Sequence, residues 1–374
     1  MSIVIKKAET KKDLKKFVKL PWKIYKNNPY WVPPLIIDKL SMLDKKKHPF
    51  YKIADVEFFL AEKDGELVGR IAAIVNHKHN EFHNDKVGFF GFFECINDQE
   101  VANSLFDTVK EWLKERGMDT MRGPMNPSTN YELGLLINAF DKSPQVMMTY
   151  NPEYYITLFE NYGLKKSMDL YAYLIKNETT VTDKLKRVAE IVQKRRPFVV
   201  RTINMKDFDN EVKKVKEIYN DAWSKNWGFV PYTDEEFDHM AKDLKLIVNP
   251  DLVLIAELEG KPIGFALSLP NINEILINNP SGRLFPTGIF KLLFGKNKVK
   301  TCRIITLGIK RDYQKLGYDS VLYYETWRRA TQENGIVAGE ASWVLEINDM
   351  MNRAAELLNG ELYKKYRIYD FPLQ

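Results

Sequence analysis

The predicted order of strands and helices occurs twice along the chain. Each half reads as a strand, one or two helices, three strands, a helix, a strand, a helix and a final strand. Asn151 precedes a helix that ends at Gly163, and Asn348 precedes one that ends at Gly360, twelve residues later in both cases. Solenoid repeats have periods of about 20–50 residues, so this longer repeat indicates two copies of one domain.

Each copy has a turn signal at the same place. Asp64-Gly65 and Glu259-Gly260 each separate two apolar, alternating segments, which predicts a β-hairpin in each half. Hairpins interspersed with helices predict a mixed α/β (α+β) fold, with two domains that each contain a mostly antiparallel central sheet flanked by helices.

We expect one domain over residues 1–178, a linker helix over 179–196 and a second domain over 197–374. The length of 374 residues suits two domains of roughly 150 or more residues each. A composition of 45% hydrophobic and 28% charged residues is ordinary for a globular protein and argues against extensive disorder.

The net charge of +6 is a modest excess of 56 basic over 50 acidic residues. It is compatible with an anionic ligand but does not require one, and no nucleic-acid-binding motif accompanies it, so we expect no nucleic-acid partner. The first residues are too polar for a signal peptide and no apolar run approaches the ~18 residues of a membrane span, which predicts a cytoplasmic protein.

Metal and disulfide chemistry have little support in the sequence. Cys95 and Cys302 are far apart and lack neighbouring ligands, which excludes a disulfide scaffold and a cysteine-based zinc site. His77, His79 and His83 have spacings that allow metal binding, but we interpret them as part of an exposed hairpin loop and expect no metal.

The most informative segment is IITLGIKRDYQKLGYDSVLYYETWRRA. An apolar strand ends at Ile309, a polar turn follows, and an amphipathic helix begins near Tyr318. The first N–H groups of a helix lack intrahelical partners and lie at the positive end of its dipole. Gly317 would allow the backbone to approach phosphate oxygens closely, so the segment predicts a pyrophosphate site, with a purely structural turn as the alternative.

The run from Gln314 to Asp319 resembles the (Arg/Gln)-x-x-Gly-x-(Gly/Ala) turn that follows the fourth strand in the GNAT superfamily of acyltransferases. The resemblance covers both halves in element order and the C-terminal half in motif. It implies acyl-CoA or acetyl-CoA as cosubstrate, or an acyl carrier protein as an alternative donor. Asp319 departs from the family pattern, because a carboxylate there repels phosphate unless it turns away. By the same resemblance, the cosubstrate would contact the fourth strand at Leu307, Gly308 and Ile309 and the turn at Gln314, Lys315, Leu316, Gly317, Tyr318, Asp319 and Ser320.

The catalytic groups are less well marked. Asn348 matches the family Asn beside the thioester, but the Tyr expected seven or eight residues later, which protonates the leaving thiolate, is replaced by Ala355 and Glu356. Tyr363 or Tyr366 could take this role, and packing in the last strand is the competing explanation. A carboxylate is the usual general base for an amine. The candidates are Glu346, Glu340 and Glu274, each with a structural role as the alternative.

The acceptor side is predicted from aromatic and basic residues. Trp223, Trp227 and Phe229 follow the first helix of the second copy, where GNAT enzymes bind their acceptor, although an ordinary core explains them equally. Residues 283–300 combine apolar and basic side chains, which suits a peripheral membrane surface or a long acyl chain, and packing against the rest of the protein is the alternative.

The first copy lacks the phosphate turn, because no glycine lies between Gly91 and the following helix in GFFECINDQEVANSLFD. The chain therefore resembles a bacterial group of tandem GNAT proteins with a degenerate N-terminal copy. The resemblance implies an N-acyltransferase acting on a primary amine, either a small molecule or a lipid amine. The alternatives are a Fem-like aminoacyl transferase and a non-catalytic CoA- or lipid-binding protein.

Overall fold

A computed structural model describes residues 2–180, 183–295 and 298–373. Packing divides the chain into two compact units. Unit 1 comprises Met1–Leu170, Leu276–Lys291 and Lys364–Gln374, and unit 2 comprises Tyr171–Ile275 and Leu292–Tyr363. Each predicted domain is one continuous segment, whereas each of these units combines segments that are not contiguous in sequence. The division into 1–178, 179–196 and 197–374 stays a prediction.

The regular elements alternate between strands and helices, as the sequence predicts. The strands are β1 Ile3–Lys7, β2 Ala54–Lys63, β3 Glu66–Asn76, β4 Val87–Cys95, β5 Thr120–Gly123, β6 Met125–Asn126, β7 Glu132–Leu133, β8 Leu135–Leu136, β9 Lys165–Lys176, β10 Val199–Thr202, β11 Val253–Leu258, β12 Lys261–Pro270, β13 Thr301–Ile309, β14 Ala338–Leu345 and β15 Glu361–Pro372. The helices are α1 Lys11–Lys19, α2 Pro21–Ile24, α3 Ile36–Met42, α4 His77–His83, α5 Gln99–Lys114, α6 Tyr154–Tyr162, α7 Asn177–Thr180, α8 Asp183–Arg195, α9 Phe208–Ala222, α10 Asp234–Lys245, α11 Asn273–Leu276, α12 Thr287–Gly295, α13 Tyr318–Arg328 and α14 Asp349–Leu357. This is a mixed α/β fold, and the predicted fold class is confirmed.

Unit 1 contains the sheet order β1-β2-β3-β4-β5-β15. Neighbouring strands are antiparallel except for β4 and β5, which pair in parallel from Val87–Thr120 to Phe89–Arg122. The amphipathic helix α5 packs on β3. It begins directly after Asp98, whose carboxylate accepts hydrogen bonds from N–H groups of the first helical turn. Its buried face joins an aromatic cluster around Phe90 and Phe159. Each such buried side chain stabilises the fold by roughly 1.5–3 kcal/mol.

Unit 2 repeats this arrangement with the order β9-β14-β13-β12-β11-β10. The parallel pair with a described register in unit 2 is β13 and β14. This pairing is short, beginning with Thr301 opposite Ala338 and ending with Ile304 opposite Ala341. The core lies between this sheet and α13, whose Val321 and Leu322 are buried, and α8 packs on α13. In the described part of the chain, no helix is both long and apolar enough to span a membrane.

Three local predictions were wrong. The sequence predicts an irregular segment over Thr120–Thr149 with a strand at Val146–Tyr150, but residues 146–150 are irregular and Thr120–Gly123 forms β5. Residues 77–83 form α4 rather than a hairpin loop, because the Asn76 side chain accepts from the His79 N–H and caps the helix. His79 is buried as a result.

Candidate functional site

The turn between β13 and α13 presents backbone N–H groups at a helix start. Lys315 and Gly317 have positive φ angles of 61° and 88°, and α13 begins at the next residue. Ser320 N–H donates to the Gly317 carbonyl, but no described group accepts a hydrogen bond from the N–H groups of residues 316–319. The turn can therefore donate several hydrogen bonds to an anion at the positive end of the helix dipole.

Gly317 is required for two reasons that the structure makes explicit. Its φ of 88° favours glycine, and a Cβ at this position would lie only 2.9 Å from Cγ2 of Val192 in α8. The glycine thus permits a close approach to the neighbouring helix, and its approach to phosphate stays a prediction.

The side chains of the turn are divided between structure and solvent. Gln314 Nε2 donates to the Ile309 carbonyl at 2.9 Å, and the Tyr318 ring is buried against Phe198 with centroids 4.8 Å apart. The Lys315 side chain is exposed, and Arg196 donates to the Leu316 carbonyl at 3.5 Å. The turn is shaped in part by its own side chains, it contains the cationic Lys315, and Arg196 contacts it from outside.

Strand β13 is open along its second half. Its pairing with β14 ends at Ile304, and within the described residues no strand continues beside it on that side. Leu267 pairs with Thr306 and Ser268 with Ile304, so β13 contains a bulge at the intervening residue. Residues 304–308 are all partly exposed, as expected for a strand edge that can bind a ligand.

The equivalent edge in unit 1 is filled by the chain itself. All nine residues of β4 are buried. The Asn126 side chain accepts from the Phe92 N–H at 2.6 Å, and a Cβ on Gly91 would lie 1.7 Å from the Met125 carbonyl oxygen. Because β6 occupies this position, unit 1 has no open fourth strand within its described residues.

Of the predicted acceptor residues, Trp223 lies on one face of β13. A Cβ on Gly308 would lie 2.1 Å from Cη2 of Trp223, so the indole covers the strand at this residue. Trp223 stacks on Tyr219 with centroids 5.1 Å apart, and the buried Phe229 ring is 5.7 Å from the Tyr219 ring. Trp227 is partly exposed. The structure therefore brings Trp223 and the proposed donor strand together.

The predicted catalytic residues fall into different environments. Asn348 caps α14, with its side-chain oxygen accepting from Met351 N–H at 3.2 Å, which is a structural role. Glu346 follows the end of β14 and is partly exposed. Tyr363 is 8% exposed and its hydroxyl donates to the Glu340 carboxylate. The Tyr363 hydroxyl is thus held in the interior of unit 2.

Glu340 belongs to a buried polar network that the sequence revealed only in part. Ser342 Oγ donates to Glu340 at 2.7 Å, and Arg303 Nε donates to Ser342 Oγ at 3.0 Å. Arg303 is 2% exposed and lies opposite Glu340 in the β13–β14 register. Arg303 was not predicted as a site residue, although a charge inside the apolar segment TCRIITLGI was the available signal.

Metal binding has no support among the residues that the structure describes, which contain no group of three possible ligands. His79 and His83 lie with ring centroids 4.4 Å apart, whereas His77 Nε2 is 3.1 Å from the Asp55 carboxylate.

No family model matches the sequence. The chain is 36% identical to Protein YghO from Escherichia coli (strain K12) over 366 residues, which cover 96% of this chain and 93% of that protein. It is also 36% identical to bacterial ceramide synthase from Caulobacter vibrioides (strain NA1000 / CB15N) over 377 residues, which cover 97% of this chain and 96% of that protein.

Solved structures show the same fold at low sequence identity. A tandem GNAT protein from the clavulanic acid biosynthesis pathway superposes with a TM-score of 0.59 and 9% identity, covering 100% of this chain and 99% of that one. A GCN5-related N-acetyltransferase from Sphaerobacter thermophilus gives a TM-score of 0.52 and 14% identity, covering 100% and 96%. The chain therefore belongs to the family of Protein YghO and bacterial ceramide synthase, and it has the fold of tandem GNAT proteins.

Proposed function

We propose that the chain is an N-acyltransferase that moves an acyl group from acyl-CoA to the primary amine of a lipid. The open edge of β13, next to a turn with unpartnered N–H groups, is the observation that carries the proposal. A relative of nearly the same length is named a ceramide synthase, and a ceramide is an N-acylated long-chain amine. Both observations fit a thioester donor and a lipid amine acceptor.

The cosubstrate would be held by the backbone rather than by a set of charged side chains. The N–H groups of residues 316–319 would donate to the pyrophosphate, while Lys315 and Arg196 supply positive charge. The edge of Leu307, Gly308 and Ile309 would hydrogen-bond the pantetheine arm and leave the thioester beside Trp223.

In the reaction, the acceptor nitrogen attacks the thioester carbonyl carbon, a C–N bond forms and the C–S bond breaks. The amine loses a proton and the departing thiolate gains one, so the two transfers balance. An amine with a free pKa of about 10 needs a base, and the partly exposed Glu346 after β14 is our candidate. β13 N–H groups directed at the carbonyl oxygen would stabilise its developing negative charge.

The direct test is acyl transfer by the purified chain. Palmitoyl-CoA and sphinganine are mixed with the protein, release of the CoA thiol is followed with a thiol reagent, and the N-acyl product is identified by mass spectrometry. Isothermal titration with CoA, acetyl-CoA and palmitoyl-CoA measures donor binding separately. Absence of binding to all three would reject the proposal.

A second candidate is a non-catalytic CoA- or lipid-binding protein. It is favoured by the buried Tyr363 hydroxyl, which donates to Glu340, and by Ala355 and Glu356 at the positions where the family has its acid. Product formation in the acyl-transfer assay distinguishes the two, because a non-catalytic protein would bind CoA without turnover. In a chain that turns over, Tyr363→Phe tests the role of the tyrosine. A general acid predicts a lower kcat with donor binding retained, whereas a structural tyrosine predicts a lower melting temperature with kcat retained in the folded fraction.

The remaining alternatives concern the donor. An acyl carrier protein would carry the same pantetheine arm, so the β13 edge suits it equally. A Fem-like aminoacyl transfer from tRNA would need a basic groove for RNA. Competition of palmitoyl-CoA turnover by acyl carrier protein and by charged tRNA separates these donors.

Residues 283–300 would bring the enzyme to its lipid substrate. Phe290, Leu293 and Phe294 lie on one face of α12 and are 58%, 56% and 73% exposed. Exposed Lys291 and Lys298 provide positive charge for anionic lipid headgroups. Residues 296 and 297 of this segment lie outside the described residues.

A further inference from the structure

Strands β13 and β14 diverge next to a buried arginine. The last pair of their parallel register is Ile304 with Ala341, although both strands continue beyond it. Residues 305–309 of β13 and 342–345 of β14 therefore form the two arms of a fork. Arg303 directly precedes the last paired residue of β13 and is 2% exposed. The arginine lies at the base of the fork.

Arg303 contacts the first two residues of the β14 arm. Its Nε donates to Ser342 Oγ at 3.0 Å, and its Nη2 donates to the Ser342 carbonyl at 3.1 Å. Its guanidinium carbon lies 5.4 Å from the centroid of the Trp343 ring, within the range of a cation–π contact. Because a guanidinium presents its donors in a rigid plane, these contacts define where the β14 arm leaves β13.

The charge of Arg303 is balanced through a hydroxyl group. Ser342 Oγ donates to the Glu340 carboxylate at 2.7 Å, and the Tyr363 hydroxyl donates to the same carboxylate. Glu340 is 0% exposed and lies opposite Arg303 in the register. An apolar pair would fill these two positions without the cost of removing two charges from water, so stability alone does not account for the arginine.

Unit 1 has no charge at the equivalent place. The last pair in the parallel register of β4 and β5 is Phe89 with Arg122, and the pair before it is Gly88 with the buried Met121. Unit 1 is also the unit in which β6 fills the edge of the fourth strand. The buried arginine thus belongs to the unit whose edge is open.

We propose that Arg303 is a positioning residue for acyl transfer, which acts through Ser342 to hold the β14 arm away from the edge of β13. The inference rests on the proposed function. An open edge leaves N–H groups of the β13 arm available to the pantetheine arm of the donor. The β14 arm leads to Glu346, our candidate base, so the contact also sets the position of the base relative to the thioester.

Loss of Arg303 has a direction that distinguishes this role from a purely structural one. The Ser342 carbonyl would lose the donor that Arg303 provides, and an N–H group of the facing β13 arm can replace it. Buried carbonyls are nearly always paired, so the ladder would extend into the fork. Hydrogen exchange in the β13 arm would then become slower, whereas simple destabilisation makes exchange faster.

The experiment measures amide hydrogen exchange over residues 304–309 in the full chain without ligand. Arg303→Met is expected to slow exchange there by about fivefold to tenfold, the factor that one hydrogen bond of ordinary net strength provides. The same variant should lower kcat/KM for palmitoyl-CoA by roughly ten- to a hundredfold, because a shift of about 1 Å in positioning groups has effects of this size.

Two further variants separate position from charge. Arg303→Met/Glu340→Gln removes both buried charges, so it should recover melting temperature relative to Arg303→Met but keep the slow exchange and the low kcat/KM. Arg303→Lys keeps the charge but lacks the planar group that contacts Ser342 twice, so it should not restore activity. Arg122→Met is the matched control, since Arg122 pairs with Asp370 on the neighbouring strand in unit 1. It should lower the melting temperature alone.

Unchanged or faster exchange over residues 304–309 in both Arg303→Met and the double variant overturns the proposal. Full activity of Arg303→Lys also overturns it, because charge alone would then be sufficient. The double variant carries the test where Arg303→Met fails to fold. Failure of the unaltered chain to bind any CoA would instead contradict the proposed function, and the exchange measurement, which needs no CoA, would still decide whether Arg303 holds the fork open.

Discussion

The Trp223 indole occupies the space that a side chain at residue 308 would need, since a Cβ on Gly308 would lie 2.1 Å from Cη2 of Trp223. The glycine therefore allows an aromatic ring to lie directly on the fourth strand. The ring is held by stacking on Tyr219 and by edge contact with Phe265. This contact joins the proposed acceptor side to the proposed donor strand.

Gly308→Ala is expected to displace Trp223 and to lower kcat/KM by roughly ten- to a hundredfold, because a shift of about 1 Å in positioning groups has effects of this size. The melting temperature should also fall, since overpacking costs about 1–3 kcal/mol. Acyl transfer and thermal unfolding measure the two effects.

The control is the double variant Gly308→Ala/Trp223→Ala. Removal of the ring removes the overlap, so the double variant should melt at the temperature of Trp223→Ala alone. If Gly308→Ala by itself leaves both activity and melting temperature unchanged, the contact has no role.

Gly317→Ala tests the turn. The positive φ costs about 1 kcal/mol for a side chain, and the overlap with Val192 adds to it, so we expect destabilisation of about 1–3 kcal/mol and weaker CoA binding. Gly335 offers a matched control. It has a φ of 64°, and a Cβ there would meet nothing within 4 Å. Gly335→Ala should lose stability only through its positive φ and should keep its CoA affinity. Equal CoA affinities for Gly317→Ala and Gly335→Ala would argue against the turn as the pyrophosphate site.

How far the sequence predicts this molecule depends on how local each signal is. Asp64-Gly65 forms the expected hairpin turn with both residues at positive φ, because the signal lies within the turn itself. Strand β5 was missed because TMRG has only four residues, too few for its alternation to stand out, and its pairing partners, β4 and β15, are not adjacent to it in sequence.

The same distinction applies to the site. The turn before α13 could be found because a glycine and a helix start are adjacent in sequence. The open edge of β13 could not be predicted in this way, because it depends on where the pairing of β14 with β13 ends. In unit 1, β6 fills the matching edge, and its two residues, Met125 and Asn126, carry no sequence signal for that role. The role of Arg303 likewise depends on Ser342, a residue on the neighbouring strand.

Acid should weaken unit 2 through Glu211. This carboxylate is 2% exposed; burial raises its pKa, but hydrogen bonds from Arg201, Lys214 and the Asn204 N–H outweigh that and lower the pKa from 4.5 to about 2. Because the folded-state pKa is the lower one, the stabilisation is complete above about pH 4.5 and is lost as the pH falls toward 2.

The loss amounts to about 2–3 kcal/mol, measured as the change in unfolding free energy between pH 6 and pH 2.5. Glu211→Gln should be less stable at pH 6 and should show a smaller decrease with acid. Glu217→Gln is the control, since Glu217 pairs with Lys310 at the surface with its side chain 64% exposed. Identical pH profiles for the unaltered chain and Glu211→Gln would show that this network does not contribute.

Membrane contact through α12 leads to the last prediction. The double variant Phe290→Ser/Phe294→Ser should reduce binding to vesicles that contain phosphatidylglycerol by about tenfold or more, because each buried aromatic ring contributes at least about 1.5 kcal/mol. High salt should weaken binding of the unaltered chain as well, since Lys291 and Lys298 act through electrostatic attraction.

Leu246→Ser is the matched control, because Leu246 is 81% exposed but lies at the end of α10. Equal vesicle flotation of the double variant and the Leu246→Ser control would exclude α12 as the lipid-binding surface. A double variant that turns over a short, water-soluble amine normally but loses activity on vesicle-borne sphinganine would place the effect at the membrane rather than at the site.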